Sequence, residues 1–421
     1  MAQIRVHKMQ NKEGFALQVR HRLMYAFSIV LVMAALTALP AQAQTSTELY
    51  SFPNPQTDGG DPLGGLVRDA AGNLYGATYR GGAANAGVVY KLDTSNTQTV
   101  LYSFLGTTDG KGPVDTLYRS TTGSLYGVAS SGGVTSTGCT DIDGTPGCGT
   151  IFKVTTGGHL DVLHSFHGAD GANPQARLFI DGAGNFYGTT YSGGTSNHGT
   201  VYKLSPTNKL TILHSFSGGA DGGNPRGRVI LDSKGNLYGT AVFGGNGCEL
   251  GDGCGVVFKI TASGTFSVLH SFADSPDGAF PWAGLQWDSE GNMWGTTTGG
   301  GNDFCDLNGS PCGVVYKIRA DGTETVFYTF DGSDGVAPGG GVILDASGNL
   351  YGYTHGDDRA SFGAVYKLDP SATKTDLFRF TASTDGSAPV GTLILDGAGN
   401  LYGTAQGNGG PAGGEVFKIA P

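Results

Sequence analysis

One stretch of a dozen residues recurs along the chain and narrows what it can fold into. Residues 393–404 read "LILDGAGNLYGT"; near copies stand at 229–240, "VILDSKGNLYGT", and at 342–353, "VILDASGNLYGY". Aligned on the glycine that opens Gly-Asn-Leu-Tyr-Gly, the copies fall at Gly72, Gly123, Gly184, Gly235, Gly291, Gly348 and Gly399. The spacings of 51, 61, 51, 56, 57 and 51 residues describe seven repeats of one base length with insertions. A fixed period of this size means a solenoid or a propeller.

The content of one repeat decides between them. The third carries four runs of strand composition, "ARLFID", "NFYGTTY", "GTVYKL" and "LTILHSF", with nothing of helical period between them. Four strands per repeat make a propeller blade. The sequence therefore predicts an all-β fold, a seven-bladed β-propeller of four-stranded antiparallel blades, with strands A to D running outward from a central channel. Asp-x-x-Gly-Asn suits the tight A–B hairpin, because aspartate bonds nearby backbone and glycine or asparagine tolerates positive φ. The last repeat stops after strand C, at "GEVFKIAP", and its missing D strand stands near the other end of the chain as "ELYSF", 48–52. That N-terminal strand is expected to complete the last blade, which closes the ring and removes an exposed edge.

Residues 1–43 read as a signal peptide and 44–421 as the propeller. Arg5, Lys8, Lys12, Arg20 and Arg22 form a basic region, an apolar run follows, and "AQA" at 41–43 fits a cleavage site. The leader holds five of the 25 basic residues and one of the 35 acidic ones, so the remainder carries −14. Such a surface, with no basic stripe, argues against nucleic acid. The expectation is a secreted monomer, periplasmic or extracellular, with no membrane contact after cleavage.

The segments Asp-Gly-x-x-Pro, Asp-x-x-Gly-Asn-Leu-Tyr-Gly-Thr and Gly-x-Val-[Tyr/Phe]-Lys recur over most of the chain. In these segments it resembles the Gloeo/Verruco (GloVer) tandem-repeat family. The resemblance implies a secreted bacterial β-propeller and no particular activity.

The D–A and B–C loops share one face, here called the upper face, and hold the length variation; loop-borne function belongs there. Each D–A loop carries the aspartate of Asp-Gly-x-x-Pro: Asp58, Asp109, Asp170, Asp221, Asp277, Asp334 and Asp385. A motif present in every blade reads as a turn rather than a cation-collecting ring. His164, His214 and His270 occupy a strand D position that is aromatic in other blades, and successive blades hold them too far apart to share a zinc ion. They read as packing positions. The strand C lysines, Lys91 to Lys418, are expected to pair with the A–B turn aspartates at the surface.

Departures from the repeat carry more information. Blade 5 holds all three tryptophans, Trp282, Trp287 and Trp294, and blade 6 replaces a glycine loop with "THGDDRASFG". Trp282 reads either as a packing residue or as a ring that stacks on a sugar or aromatic ligand, and His355, Asp357, Asp358 and Arg359 read either as a solvated loop or as a polar, titratable cluster near the same face. These five are the candidate ligand-binding residues. No catalytic signature, cofactor motif or metal pattern is present. The favoured reading is a binding scaffold for an envelope or extracellular glycan or a protein partner. The alternative is a streptogramin-lyase-like or lactonase-like propeller enzyme with its site at the channel mouth.

The six cysteines fall in three B–C insertions, Cys139/Cys148, Cys248/Cys254 and Cys305/Cys312. Asp143-Gly144 and Asn308-Gly309 lie midway in the first and third, which sets each pair face to face across a hairpin. Three local disulfides are expected, as export permits.

Overall fold

Each repeat folds into one small antiparallel sheet. The computed structural model describes Gln44 and residues 46–421, except 135–137, 141–143, 145, 249–250, 302–311, 357–361, 382–386 and 408–412. Residues 1–43, with the leader read from the sequence, lie outside the described residues. In blade 4 the strands are Ile230–Leu231, Leu237–Ala241, Val256–Ile260 and Phe266–Ser271, hydrogen-bonded in that order. Six further sheets repeat the arrangement around an axis, as a seven-bladed β-propeller. The seventh sheet takes its outermost strand from the other end of the chain: Ser46–Ser51 runs antiparallel to Glu415–Ile419, pairing Ser46 with Ile419 and Ser51 with Glu415.

The core lies between blades rather than within them. One cluster joins Tyr187, Val201 and Phe216 of blade 3 to Val229, Leu237 and Phe258 of blade 4. At the closure, Phe52 is fully buried and meets Tyr90 of blade 1 edge-on at 5.2 Å. The N-terminal strand thus supplies hydrogen bonds to blade 7 and an apolar anchor to blade 1.

The recurring dozen residues now have a physical account. In blade 4, Asp232 accepts hydrogen bonds from the Asn236 amide and side chain, both at 2.8 Å, and from the Tyr238 hydroxyl at 3.1 Å. The same set forms around Asp69, Asp181, Asp345 and Asp396. In blade 5, Trp294 replaces the tyrosine and donates its indole N–H to Asp288 at 2.9 Å. Aspartate, asparagine and tyrosine recur together because each satisfies the other two. The threonine that ends the motif reaches outward instead: Thr240 donates to the Ala283 carbonyl of the next blade at 2.9 Å. Gly255, which opens strand C, has φ +92, and a Cβ there would lie 2.5 Å from the Pro281 ring of the next blade. This explains why Gly-x-Val and Asp-Gly-x-x-Pro recur together.

Two expectations need correction. Among the described residues no strand C lysine forms an ion pair with an A–B turn aspartate, whose carboxylate accepts from Asn and Tyr or Trp, and Lys153 pairs instead with Asp161 of strand D at 3.6 Å. Lys203, Lys259, Lys317 and Lys418 lie instead over the aromatic rings of Tyr187, Tyr238, Trp294 and Tyr402, 5.4–5.9 Å from the centroids. The strand D histidines pack as aromatics, but they also bond the loop aspartates: His164 to Asp170, His214 to Asp221 and His270 to Asp277, at 2.9–3.0 Å. Tyr102 does the same for Asp109 at 3.0 Å. These aspartates also accept loop amides, such as Ala273 to Asp277 at 2.8 Å, so they build the turn.

Two of the three expected disulfides are seen with both partners, Cys139–Cys148 and Cys248–Cys254, with Cα atoms 5.0 and 5.9 Å apart. In the first loop Thr140 pairs with Pro146 and the Gly147 amide donates to the Cys139 carbonyl at 3.0 Å, one residue out of the register in which Asp143-Gly144 would set Cys139 opposite Cys148. The third expected pair, Cys305 with Cys312, differs from these. Cys312 is disulfide-bonded and fully buried in the apolar cluster of Trp294, Val315 and Phe330. Cys305, Asn308 and Gly309 lie outside the described residues, and with them the hairpin argued for this pair.

Candidate functional site: a cavity on the propeller axis

The three residues after the proline of Asp-Gly-x-x-Pro lie at the axis, and most of them line a channel there. They read Leu63-Gly64-Gly65, Val114-Asp115-Thr116, Gln175-Ala176-Arg177, Arg226-Gly227-Arg228, Trp282-Ala283-Gly284, Gly339-Gly340-Gly341 and Val390-Gly391-Thr392. The fourth residue is apolar in every blade, from Leu66 to Leu393, and is buried. The blades are therefore anchored alike at the fourth position and differ in the three before it.

The wall encloses a cavity of about 300 Å³. Above it a second chamber of about 320 Å³, bordered by Asp61, Tyr79, Arg80 and Ser130, shares Gln175 and Arg226 and leads to the upper face. The two sides of the lower cavity differ. Blades 3 and 4 contribute Arg177, Arg226 and Arg228, while blades 5 to 7 contribute the backbone of Gly284, Gly339, Gly340, Gly341 and Gly391. Glycine is needed there for close approach: a Cβ on Gly340 would lie 2.4 Å from the Tyr353 ring and 2.6 Å from the Gly391 carbonyl.

Each arginine has a distinct setting. The Arg226 guanidinium carbon sits 4.2 Å from the Trp282 ring centroid and 5.7 Å from that of Tyr191. Arg228 donates to the Gln286 side-chain carbonyl, which orients its fork. Among the described residues Asp115 is the one carboxylate lining this cavity, and its oxygens accept the amides of Thr116 and Arg177, at 2.5 and 2.6 Å. Burial pulls all three arginines below their usual pKa. Arg228 falls to about 10, with the Arg177 charge adding to burial and Asp115 opposing it. All three remain charged at neutral pH, so the described part of the wall holds three cations and one carboxylate.

Of the candidates from sequence, Trp282 and His355 both line this cavity. Trp282 is 40% exposed. His355 ends strand B of blade 6, edge-on to Tyr353 at 5.5 Å, and burial lowers its pKa, so the ring is neutral at pH 7. Asp357, Asp358 and Arg359 lie outside the described residues. Trp287 is turned away from the axis and donates its indole N–H to the Leu231 carbonyl at 3.1 Å.

Arg177, Arg226, Arg228, Asp115 and Gln286 were not singled out from the sequence. Alignment on the glycines marks the recurring hairpins; alignment on the prolines of Asp-Gly-x-x-Pro would have lined up the seven triplets and shown three arginines where other blades carry small or apolar residues. For metals, the described residues whose ligand atoms come together are His164, His167 and Asp170, within 4.8 Å of one another at the outer strand of blade 2. There Asp170 already accepts from His164 and from the His167 amide, the bonds that build the same turn in other blades.

Among solved structures, the extracellular domain of a putative one-component system from B. thetaiotaomicron matches with a TM-score of 0.56 at 9% identity, over 89% of this chain. The chain spans 40% of that protein's length. A putative gluconolactonase matches at 14% identity, TM-score 0.44, over 90% of this chain and 93% of its own. A gluconolactonase from Xanthomonas campestris matches at 14%, TM-score 0.41, over 86% and 97%. At these identities the likeness to the first is one of fold. No curated protein matches the chain. The family model of the Gloeobacter/Verrucomicrobia repeat matches residues 35–139, 135–309 and 252–421, and the chain belongs to that family.

Proposed function

We propose that the protein is a secreted binding module that receives the end of an extracellular glycan in its axial cavity. The observation that carries this reading is the cavity itself. It is concave, reached from the upper face, about 300 Å³ in volume, and lined by polar side chains next to an indole. That volume stands at the low end of the ~300–1,000 Å³ typical of small-molecule sites, a size for one or two sugar rings rather than a protein segment. Trp282, with one face under Arg226, offers an apolar surface beside the cavity, and Gln175, Gln406, Thr392 and His355 offer hydrogen-bonding partners for hydroxyls. Two disulfides and the fold shared with an extracellular domain support work outside the cytoplasm.

The test is a titration with a panel of neutral and acidic mono- and disaccharides, followed by tryptophan fluorescence. Gly341→Leu would project a side chain into the cavity; the nearest atoms to its Cβ would be the Gly284 carbonyl at 3.1 Å and the Ala283 Cβ at 3.7 Å. At least one saccharide should bind the wild-type protein, and binding should be lost in Gly341→Leu while the melting temperature holds. A panel that does not bind at all, or that binds both proteins equally, would remove the axial site.

A further inference from the structure

We propose that the sugar received in the axial cavity is an acid, its carboxylate held by Arg177 and Arg228; this rests on the binding reading above. The chain as a whole is acidic, with a net charge of −10, yet blades 3 and 4 bring three guanidinium groups to the axis. The Arg177 charge acts against that of Arg228, and burial strips all three of water, so the arrangement works against folding unless an anion completes it. Asp115 does not complete it. Its oxygens are turned to two backbone amides, one of them from Arg177 itself. Among the described residues no carboxylate forms an ion pair with Arg177, Arg226 or Arg228, so these cations remain available to a ligand.

The three arginines divide the work. Arg226 is spent on the Trp282 ring, where the guanidinium covers the indole at 4.2 Å and borders both chambers. Arg228 is oriented by Gln286 but keeps further donors, and Arg177 lies near enough to lower the pKa of Arg228 by its charge. An arginine fork matches the two oxygens of a carboxylate. Blades 5 to 7 line the rest of the cavity with glycine backbone, whose peptide groups offer partners for hydroxyls. A cationic pair beside a polar backbone wall fits a small polyhydroxylated acid. A cavity lined by charge of one sign also concentrates such a ligand from solution.

Calorimetry at fixed ionic strength tests this with D-glucuronate, D-galacturonate and D-gluconate, their neutral counterparts D-glucose and D-galactose, and inorganic phosphate as a bare oxyanion. At least one acid should bind tenfold or more tighter than its neutral counterpart and tighter than phosphate. Arg177→Gln and Arg228→Gln should abolish that preference, while Arg228→Lys should retain part of it. Both glutamine variants should melt at or above the wild-type temperature, because each removes a buried repulsion. Neutral sugars that bind as well as the acids would overturn the acid assignment and leave the binding module standing. Phosphate that binds as tightly as every acid would overturn the sugar assignment. If no acid binds and the glutamine variants lose stability, the arginines are part of the scaffold and the inference fails. If no saccharide of either kind binds, the binding module fails with it.

Discussion

The foot of the propeller and its axis are built from the same repeat and treat it in opposite ways. At the A–B hairpins, six blades carry the same aspartate with the same asparagine and an aromatic donor, and blade 2 alone substitutes Ser120. At the axis, only a few residues along the same strand, no two blades share a triplet. The hairpin contacts are closed sets in which each member satisfies another, so any departure leaves a polar group without its partner. In the axial triplets, residues such as Val114 and Arg177 face a cavity, and their side chains belong to no such reciprocal set. A repeat protein keeps its scaffold where contacts are reciprocal and is free to vary where they end, and that freedom is what a ligand site needs.

The comparison breaks most visibly at ring closure. Removing residues 46–52 leaves Glu415–Ile419 as an open edge and takes Phe52 from the interface with blade 1. The truncated protein is expected to lose its cooperative thermal transition or to aggregate, and Phe52→Ala alone to cost ~3–5 kcal/mol. A truncated protein that melts like its parent would show that the ring does not need this strand.

The hairpins should fail together in acid. For Asp396, burial by itself would raise the pKa, but bonds from Asn400, the Ala398 amide and Tyr402 outweigh it and bring it down to about 2. Asp69, Asp181, Asp232, Asp288 and Asp345 are lowered in the same way. A pKa lower in the folded state contributes stability that is complete above the unfolded value of ~4 and is lost as pH falls through the folded value. The hairpin contribution to the melting temperature should therefore be constant above about pH 5 and be lost from pH 4 toward 2. Asp232→Ala should weaken that acid response and cost about 1–3 kcal/mol at pH 7. A melting temperature that does not change between pH 5 and 2.5 would contradict the hairpin account.

A smaller effect comes from strand C. Tyr90, Tyr202, Tyr316 and Tyr366 are fully buried, and among the described residues their hydroxyls have no hydrogen-bond partner. Burial raises the pKa of each well above the usual tyrosine value. The equivalent residues elsewhere are Phe152, Phe258 and Phe417. Tyr316→Phe should leave stability unchanged or raise it by up to ~1 kcal/mol. A clear loss in chemical denaturation would mean that the hydroxyl is satisfied and that these four blades carry a polar contact of their own.

The repeat made the scaffold legible from sequence. Seven glycines gave the blade number, the displaced "ELYSF" gave the closure, and local pairing of cysteines within one loop gave the two disulfides seen with both partners. The partners within the hairpin were less legible: lysine looked like the natural mate for aspartate, but asparagine and tyrosine lie on the same hairpin and arrive without spending a long side chain's entropy. The site was half legible. Trp282 stands out in any alignment. Arg177, Arg226 and Arg228 become visible only when strand A is followed residue by residue from its proline, because alternation along a strand sends neighbouring residues to different surroundings. The closeness of Arg228 to Arg177 across two blades depends on the ring, and no local pattern encodes it.

The most direct test of the contrast between repeated foot and varied axis is a crystal structure of the protein grown with whichever sugar acid binds it most tightly. The account predicts the carboxylate between Arg177 and Arg228, with the ring against Gly339–Gly341 and the seven hairpins unchanged. An acid seated on the hairpin face or the outer rim, with the axial cavity holding solvent, would contradict it.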